Sequence, residues 1–329
     1  MNSLLIGLLS AMVATNQPVA ISNLIHQQTG FELDVPDMNN PVERELQRIM
    51  VMDDEAQQEV DKWIIENRRF AAEGAGVEPQ VLNQRIRTRF EPVRKAYQEF
   101  IKKYPDNARG RIAYASFLND LGEEGAVFEQ LEKAKELSPN NAAVWNNLAN
   151  IHGHTGEPKM AFEYYEKAIN INSNEPIYYH NFGTTVFLFR VDAREYYNID
   201  EQQVFDKALN LYSNAMRLSP EDFALASDVA QTYYGIKPLR TNDALMAWTN
   251  AMNLAGNDVE REGVHIHFAR IKMLAGQYDE AKSHLDRVHN RNYADLKVRV
   301  GKAIQNRIEE AGNTNAPAST NSNDILQIP

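Results

Sequence analysis

Cysteine is absent from all 329 residues. That excludes disulfides, thiolate catalysis, Cys-ligated zinc, iron–sulfur clusters and lipidation on cysteine, and it leaves the redox compartment open. Basic residues are missing from the start of the chain, the first being Arg44. Phosphate-cradling G-x-x-x-x-G-K-[ST], G-x-G-x-x-G after a strand, G-x-S-x-G and H-E-x-x-H do not occur, so the sequence asks for no nucleotide, dinucleotide, hydrolase nucleophile or zinc-protease chemistry. Long apolar runs are scarce as well. The mean hydropathy of −0.51 leaves no room for several membrane spans. Lys plus Arg number 34 against 45 Asp plus Glu, and the net charge of −11 disfavours nucleic acid as a partner. A hydrophobic fraction of 43% is enough for a folded core, and the length suits about two domains of roughly 150 residues.

One apolar run stands out, Leu4–Val13 (LLIGLLSAMV). As a helix it would span about 15 Å, half of a bilayer's hydrocarbon core of roughly 30 Å. Its length fits the apolar centre of a secretory signal. The segment lacks a basic leader, and cleavage after Ala14 or Ala20 would place Met12 or Pro18 at the −3 position. Residues 1–20 are read as a signal peptide of an exported bacterial protein, with an apolar segment packed on the fold as the alternative, and 21–39 as a linker.

Further along, the same residue types return at fixed steps. Pro105, Pro139 and Ser173 lie 34 apart, as do Gly122 and Gly156. From Ala161, Tyr165, Ala168 and Ser173 the next set (Ala208, Tyr212, Ala215, Pro220) is displaced by 47, an intact unit carrying 13 extra residues. Steps of 36 and 37 follow, to Ala244, Trp248, Ala251 and then Ala281, Leu285, Val288. Five units therefore occupy 105–292, with an insertion at 187–203. In each unit, small residues (Ala115, Ala149, Gly183, Ala230 and Ala269 in the first helix) allow two helices to approach to about 8–10 Å. Large ones such as Leu131, Tyr165, Tyr212, Trp248 and Leu285 fill the space between.

Trp145, Leu148, Ala149, Gly156, Ala161, Tyr165 and Ala168 fall at the marker spacing of the tetratricopeptide repeat, which this sequence resembles over somewhat more than half its length. The resemblance implies an all-α, right-handed superhelical solenoid of antiparallel helix pairs. Helices over 40–104 would extend it N-terminally, the second of them half a degenerate repeat. A helix over 293–311 would cap it, and 312–329 reads as a disordered polar tail.

The resemblance also implies a non-enzymatic scaffold that binds a protein or peptide in its groove, without cofactor or metal. Carried over place by place, the groove-lining residues are Arg109 in the first unit and Asn146, Asn147 and Asn150 in the second. The third unit supplies His180 and Asn181, the fourth Asp228 and Gln231, the fifth His267 and Arg270. Asn147 and Asn181 fall on equivalent places, suited to donating to and accepting from a peptide backbone. The family's carboxylate clamp needs basic residues where Ile112, Ile177 and Asp228 stand, which argues against capture of a partner's terminal carboxylate. Two readings remain beside the scaffold: an accessory or regulatory subunit of an enzyme, and an enzyme with an unrecognised site. His265 and His267, two apart on a helix, point away from each other and do not chelate one ion, and His152 and His154, at the end of a first helix, have no fixed carboxylate nearby in sequence and read as polar surface. The insertion, with Tyr196 and Tyr197, is either a binding lip or drift.

Overall fold

Asn40 and Pro41 start the first helix. The Asn40 side chain accepts from the Val42 N–H, and Pro41 occupies the turn where no amide donor is needed. The computed structural model describes residues 39–312; the readings for 1–20, for 21–38 and for 313–329 lie outside them. Regular structure among the described residues is helical throughout. The chain divides into two compact units, one running through Thr155 and including Asn170–Asn174, the other comprising Gly156–Ile169 and the chain from Glu175 on.

In the first unit, α1 (Pro41–Ala72) and α2 (Pro79–Lys103) precede the pair α3 (Ala108–Asp120) and α4 (Glu124–Leu137), and α5 (Ala142–His154) follows. Along α1, Leu46, Ile49, Ala56 and Val60 are buried at spacings of three, seven and four, one stripe of a helix. Phe90, Val93, Tyr97 and Phe100 are the buried residues of α2. The Tyr97 hydroxyl donates to Asp53 Oδ2 at 3.0 Å, and Lys103 and Tyr104 both reach the Glu45 carboxylate.

The second unit runs from α6 (Pro158–Ile171) through α7 (Pro176–Leu188), α8 (Arg190–Tyr197), α9 (Glu201–Leu218), α10 (Phe223–Thr232), α11 (Thr241–Leu254), α12 (Asp258–Leu274) and α13 (Tyr278–Leu285) to α14 (Ala294–Gly312). The small residues of the repeat register are all buried, from Ala115 through Ala161, Ala208 and Ala244 to Ala281. Gly122, Gly156 and Gly276, at the turns between successive helices, have φ of 71°, 84° and 75°, the region a side chain disfavours.

A second repeating device lies at the helix starts. Asn107, Asn141, Asp222 and Asn257 each cap a first helix with a side-chain oxygen on a backbone N–H. Four residues on, Arg111, Trp145 and Arg261 return to donate to the carbonyls of Pro105, Pro139 and Ala255.

Two details differ from the expected repeat. The 187–203 insertion is no loop: its first residues finish α7, and it continues as α8 and the first turn of α9, which Asp200 and Gln203 start with a reciprocal capping box. Ala193 is fully buried, Tyr196 and Tyr197 pack on Phe162, and the Tyr197 hydroxyl donates to Glu166 Oε1 at 2.9 Å. In the fifth pair, α13 stops at Leu285, so Val288 is buried from a turn rather than from a helix. The cause is Glu262, whose Oε2 accepts from the N–H groups of His289 and Asn290 at 2.7 and 2.6 Å, drawing off donors that a longer helix would use.

Candidate functional site

Polar residues of the first helices form the candidate surface, and each unit presents its own set. In the first unit, Arg109 is half-buried and paired: its Nη1 lies 2.8 Å from Glu43 Oε2 on α1, which packs against α3. Asn146 is buried and donates to Asn147 Oδ1 at 3.2 Å, leaving Asn147 and Asn150 as the half-buried residues of α5.

The second unit places His180, Asn181 and Thr184 on α7, and Asp228 and Gln231 on α10. His180 Nε2 is 3.3 Å from Asp228 Oδ2, a polar contact that ties the two first helices together. Behind it the Tyr212 hydroxyl bonds Thr184 at 3.0 Å. Asp228 and Gln231 are exposed, while His180 and Asn181 are half-buried. These four residues form a polar strip over a packed aromatic floor.

His267 and Arg270 belong to the interior instead. The His267 ring lies flat on Trp248, with centroids 3.9 Å apart and planes 10° apart, and its Nδ1 bonds the Tyr234 hydroxyl at 3.1 Å. Burial, aided by Arg270, pushes its pKa down to about 3, so the ring is neutral at ordinary pH. Arg270 is itself buried, its guanidinium 4.5 Å above the Tyr234 ring. Their repeat places point both residues toward the groove; they turn inward because α10 ends at Thr232 and the following turn brings Tyr234 over them.

One pair is invisible in the repeat pattern. His265 on α12 and His284 on α13 meet with their Nδ1 atoms 3.1 Å apart, and Phe268 stacks on His284. The hairpin register brings them together across 19 residues, whereas the neighbouring His267 that invited pairing points elsewhere. At that separation one Nδ1 must donate and the other accept, so the contact holds only while the pair carries a single one of the two Nδ1 protons. Burial, then His265, Arg287 and Lys272, hold His284 down to about 4, against a weaker upward pull from Glu280. His265 is lowered by burial and Arg287, and raised in part by Glu262. A base with a lowered folded-state pKa stabilises the fold fully above its unfolded value of about 6.5, and that contribution is lost as the pH falls toward 4. The thermal midpoint should therefore drop between pH 6.5 and 4, and the drop should shrink in His284→Gln, which keeps hydrogen-bonding capacity without titrating. Identical pH profiles for the two proteins would remove the pair from this role. Among the described residues, no group of three or more His, Cys, Asp or Glu is placed to hold a metal ion.

Antiparallel helix pairs packed on recurring small residues, with glycine turns and asparagine caps in register, define an all-α helical-repeat protein. The tetratricopeptide repeat family matches residues 142–175, so α5 and α6 make up one such repeat, and the family model supports a tetratricopeptide-type reading of the chain. Among solved structures, the chain is similar to PilW, a type IV pilus biogenesis factor, at 12% identity over 74% of this chain and 97% of that one, with a TM-score of 0.51. It is also similar to PilF of Pseudomonas aeruginosa (16% identity, 76% and 98% covered, TM-score 0.49). A third is YrrB, a tetratricopeptide-repeat protein with an unusual peptide-binding site (16%, 64% and 99% covered, TM-score 0.47). At such identities the PilW likeness concerns the fold alone. No curated protein matches the chain.

Proposed function

We propose that this chain is a non-enzymatic scaffold that binds a protein or peptide segment along the polar strip His180, Asn181, Asp228 and Gln231, and that it works outside the cytoplasm of a bacterium. Tetratricopeptide-repeat proteins bind peptides or proteins, which supports the class of partner. The observation that carries the choice of surface is the His180–Asp228 contact: it fixes two first helices while leaving an exposed carboxylate and the Gln231 amide facing outward. Side chains of this kind donate to and accept from an extended backbone. The exported location rests on the Leu4–Val13 run and its resemblance to a signal's apolar centre. No described helix is long and apolar enough to cross a membrane.

Asp228→Ala combined with Gln231→Ala tests the surface. Each lost hydrogen bond is worth about 0.5–1.5 kcal/mol, so the double variant should bind the partner captured from the native host roughly 5- to 150-fold more weakly. Both residues are exposed, and the thermal midpoint should stay nearly unchanged. Calorimetric titration against wild type reads the difference. Unaltered affinity with unaltered stability would place the partner elsewhere.

A further inference from the structure

The far end of the α1–α2 pair is charged opposite to the rest of the protein. Between Lys62 and Arg89 stand six basic residues (Lys62, Arg68, Arg69, Arg85, Arg87, Arg89) and three acidic ones (Glu66, Glu73, Glu78), in a protein whose net charge is −11. Large apolar side chains are exposed in the same region, Ile65 at 66% and Val81 at 58%. The two helices line an open cavity of about 650 Å³, mostly apolar, bounded by Trp63 and Val81 together with the polar Gln84, Arg85, Thr88 and Arg89.

The two arginines differ. Arg89 is taken up by Glu59, its Nε 2.7 Å from Oε2. Arg85 has no carboxylate partner among the described residues; its guanidinium lies 3.7 Å above the Trp63 ring. Stacking of this kind fixes the plane of the guanidinium while leaving its N–H fork free, which is the geometry for gripping a carboxylate with two hydrogen bonds.

We propose that this cavity is a second docking site, apart from the polar strip, and that it takes a short acidic amphipathic peptide segment of a partner protein. An apolar side chain of the segment seats on Trp63 and Val81, and a neighbouring carboxylate takes the Arg85 fork. Charge complementarity selects the occupant: the basic end repels basic segments, and the acidic remainder of the protein repels nucleic acid. A lipid surface fits less well, because Glu73 and Glu78 flank the turn that would meet anionic headgroups first, and because the apolar lining is concave. The site does not depend on the polar strip being a binding surface.

The test uses the full chain and a fluorescein-labelled peptide of about twelve residues, with leucines at helical spacing and glutamates between them. A second peptide carries glutamine in place of every glutamate. The glutamate peptide should bind at least tenfold more tightly than the glutamine one, and the difference should narrow as salt is raised. Arg85→Gln should weaken binding of the glutamate peptide at least tenfold, Arg85→Lys less, and Val81→Asp should abolish it. Each leaves the thermal midpoint in place, since both residues are exposed. The Asp228→Ala, Gln231→Ala variant should bind this peptide like wild type, which separates the two surfaces. Equal binding of the two peptides, or Arg85→Gln binding like wild type, would overturn the proposal. Phosphatidylserine vesicles form the remaining arm: Arg85-dependent vesicle binding without peptide binding would assign the site to lipid and overturn it too.

Discussion

Trp248→Ala is expected to lower the folding stability of the second unit by about 3–5 kcal/mol, the cost of emptying a large aromatic site in a packed interior. Trp248 is 1% exposed and sits among Ala226, Ala230, Tyr234, Ala244, Ala251, Val264 and Ile271. Those neighbours are mostly small or held on helix backbones, so they can collapse only partly into the space. Trp248→Phe should behave differently. The indole Nε1 is buried with no acceptor, and a buried donor left unpaired costs about 1–3 kcal/mol. Phenylalanine gives up ring volume and discards that penalty together, so its net cost should be far below that of alanine. A further readout comes from His267, which is desolvated against the indole and therefore held at a pKa of about 3. In Trp248→Ala water reaches the imidazole, and its titration, followed by NMR, should move up toward the ordinary value of about 6.5. Denaturant midpoints at unchanged slope measure the stabilities. An alanine variant within about 1 kcal/mol of wild type, or an alanine and phenylalanine pair of equal cost, would contradict this packing.

What the sequence made legible follows from which constraints are local. Close helix approach needs a small residue at a fixed place, so Ala149, Gly183 and Ala230 announce the repeat, and all three are buried. The thirteen extra residues show as a displacement of every later marker, yet α8 does not announce itself. Asp192, Arg194 and Glu195 make it look like a surface loop, and its apolar contacts exist only because Phe162 lies beneath Tyr196 and Tyr197. Exposure was the least legible property. Repeat place assigned Arg109, His267 and Arg270 to the groove, but Arg109 is paired with a helix that precedes the repeats, and the other two are covered by a turn that interrupts the fourth one. The Arg85–Trp63 contact joins residues of two helices that precede the five units, where no register predicts partners. Nothing in the period of a repeat encodes what a neighbouring element will cover.

A close helix approach in the repeat register supplies the second large effect, at Gly183. A Cβ there would lie 3.1 Å from two ring carbons of Tyr212 and 3.2 Å from the Ala208 carbonyl oxygen. The carbonyl belongs to the backbone of α9 and cannot swing aside. Tyr212 is buried, with its hydroxyl bonded to Thr184, and cannot move without giving up that bond. For Gly183→Ala the contact is tight rather than impossible, and alanine gains up to about 1 kcal/mol of helix propensity over glycine, so the two effects should nearly cancel. Gly183→Leu adds three more carbons to a site with no room for the first. It should cost about 3 kcal/mol, the upper part of the range for overpacked cores, by forcing α7 and α9 apart. Gly125 on α4 is the control: a Cβ there meets nothing within 4 Å, and Gly125→Ala should be neutral or stabilising. Denaturant midpoints for the three variants decide the matter. If Gly183→Leu matches wild type within about 0.5 kcal/mol while keeping its helical content, α7 and α9 do not pack through glycine, and the small-residue positions lose their physical meaning throughout the repeats.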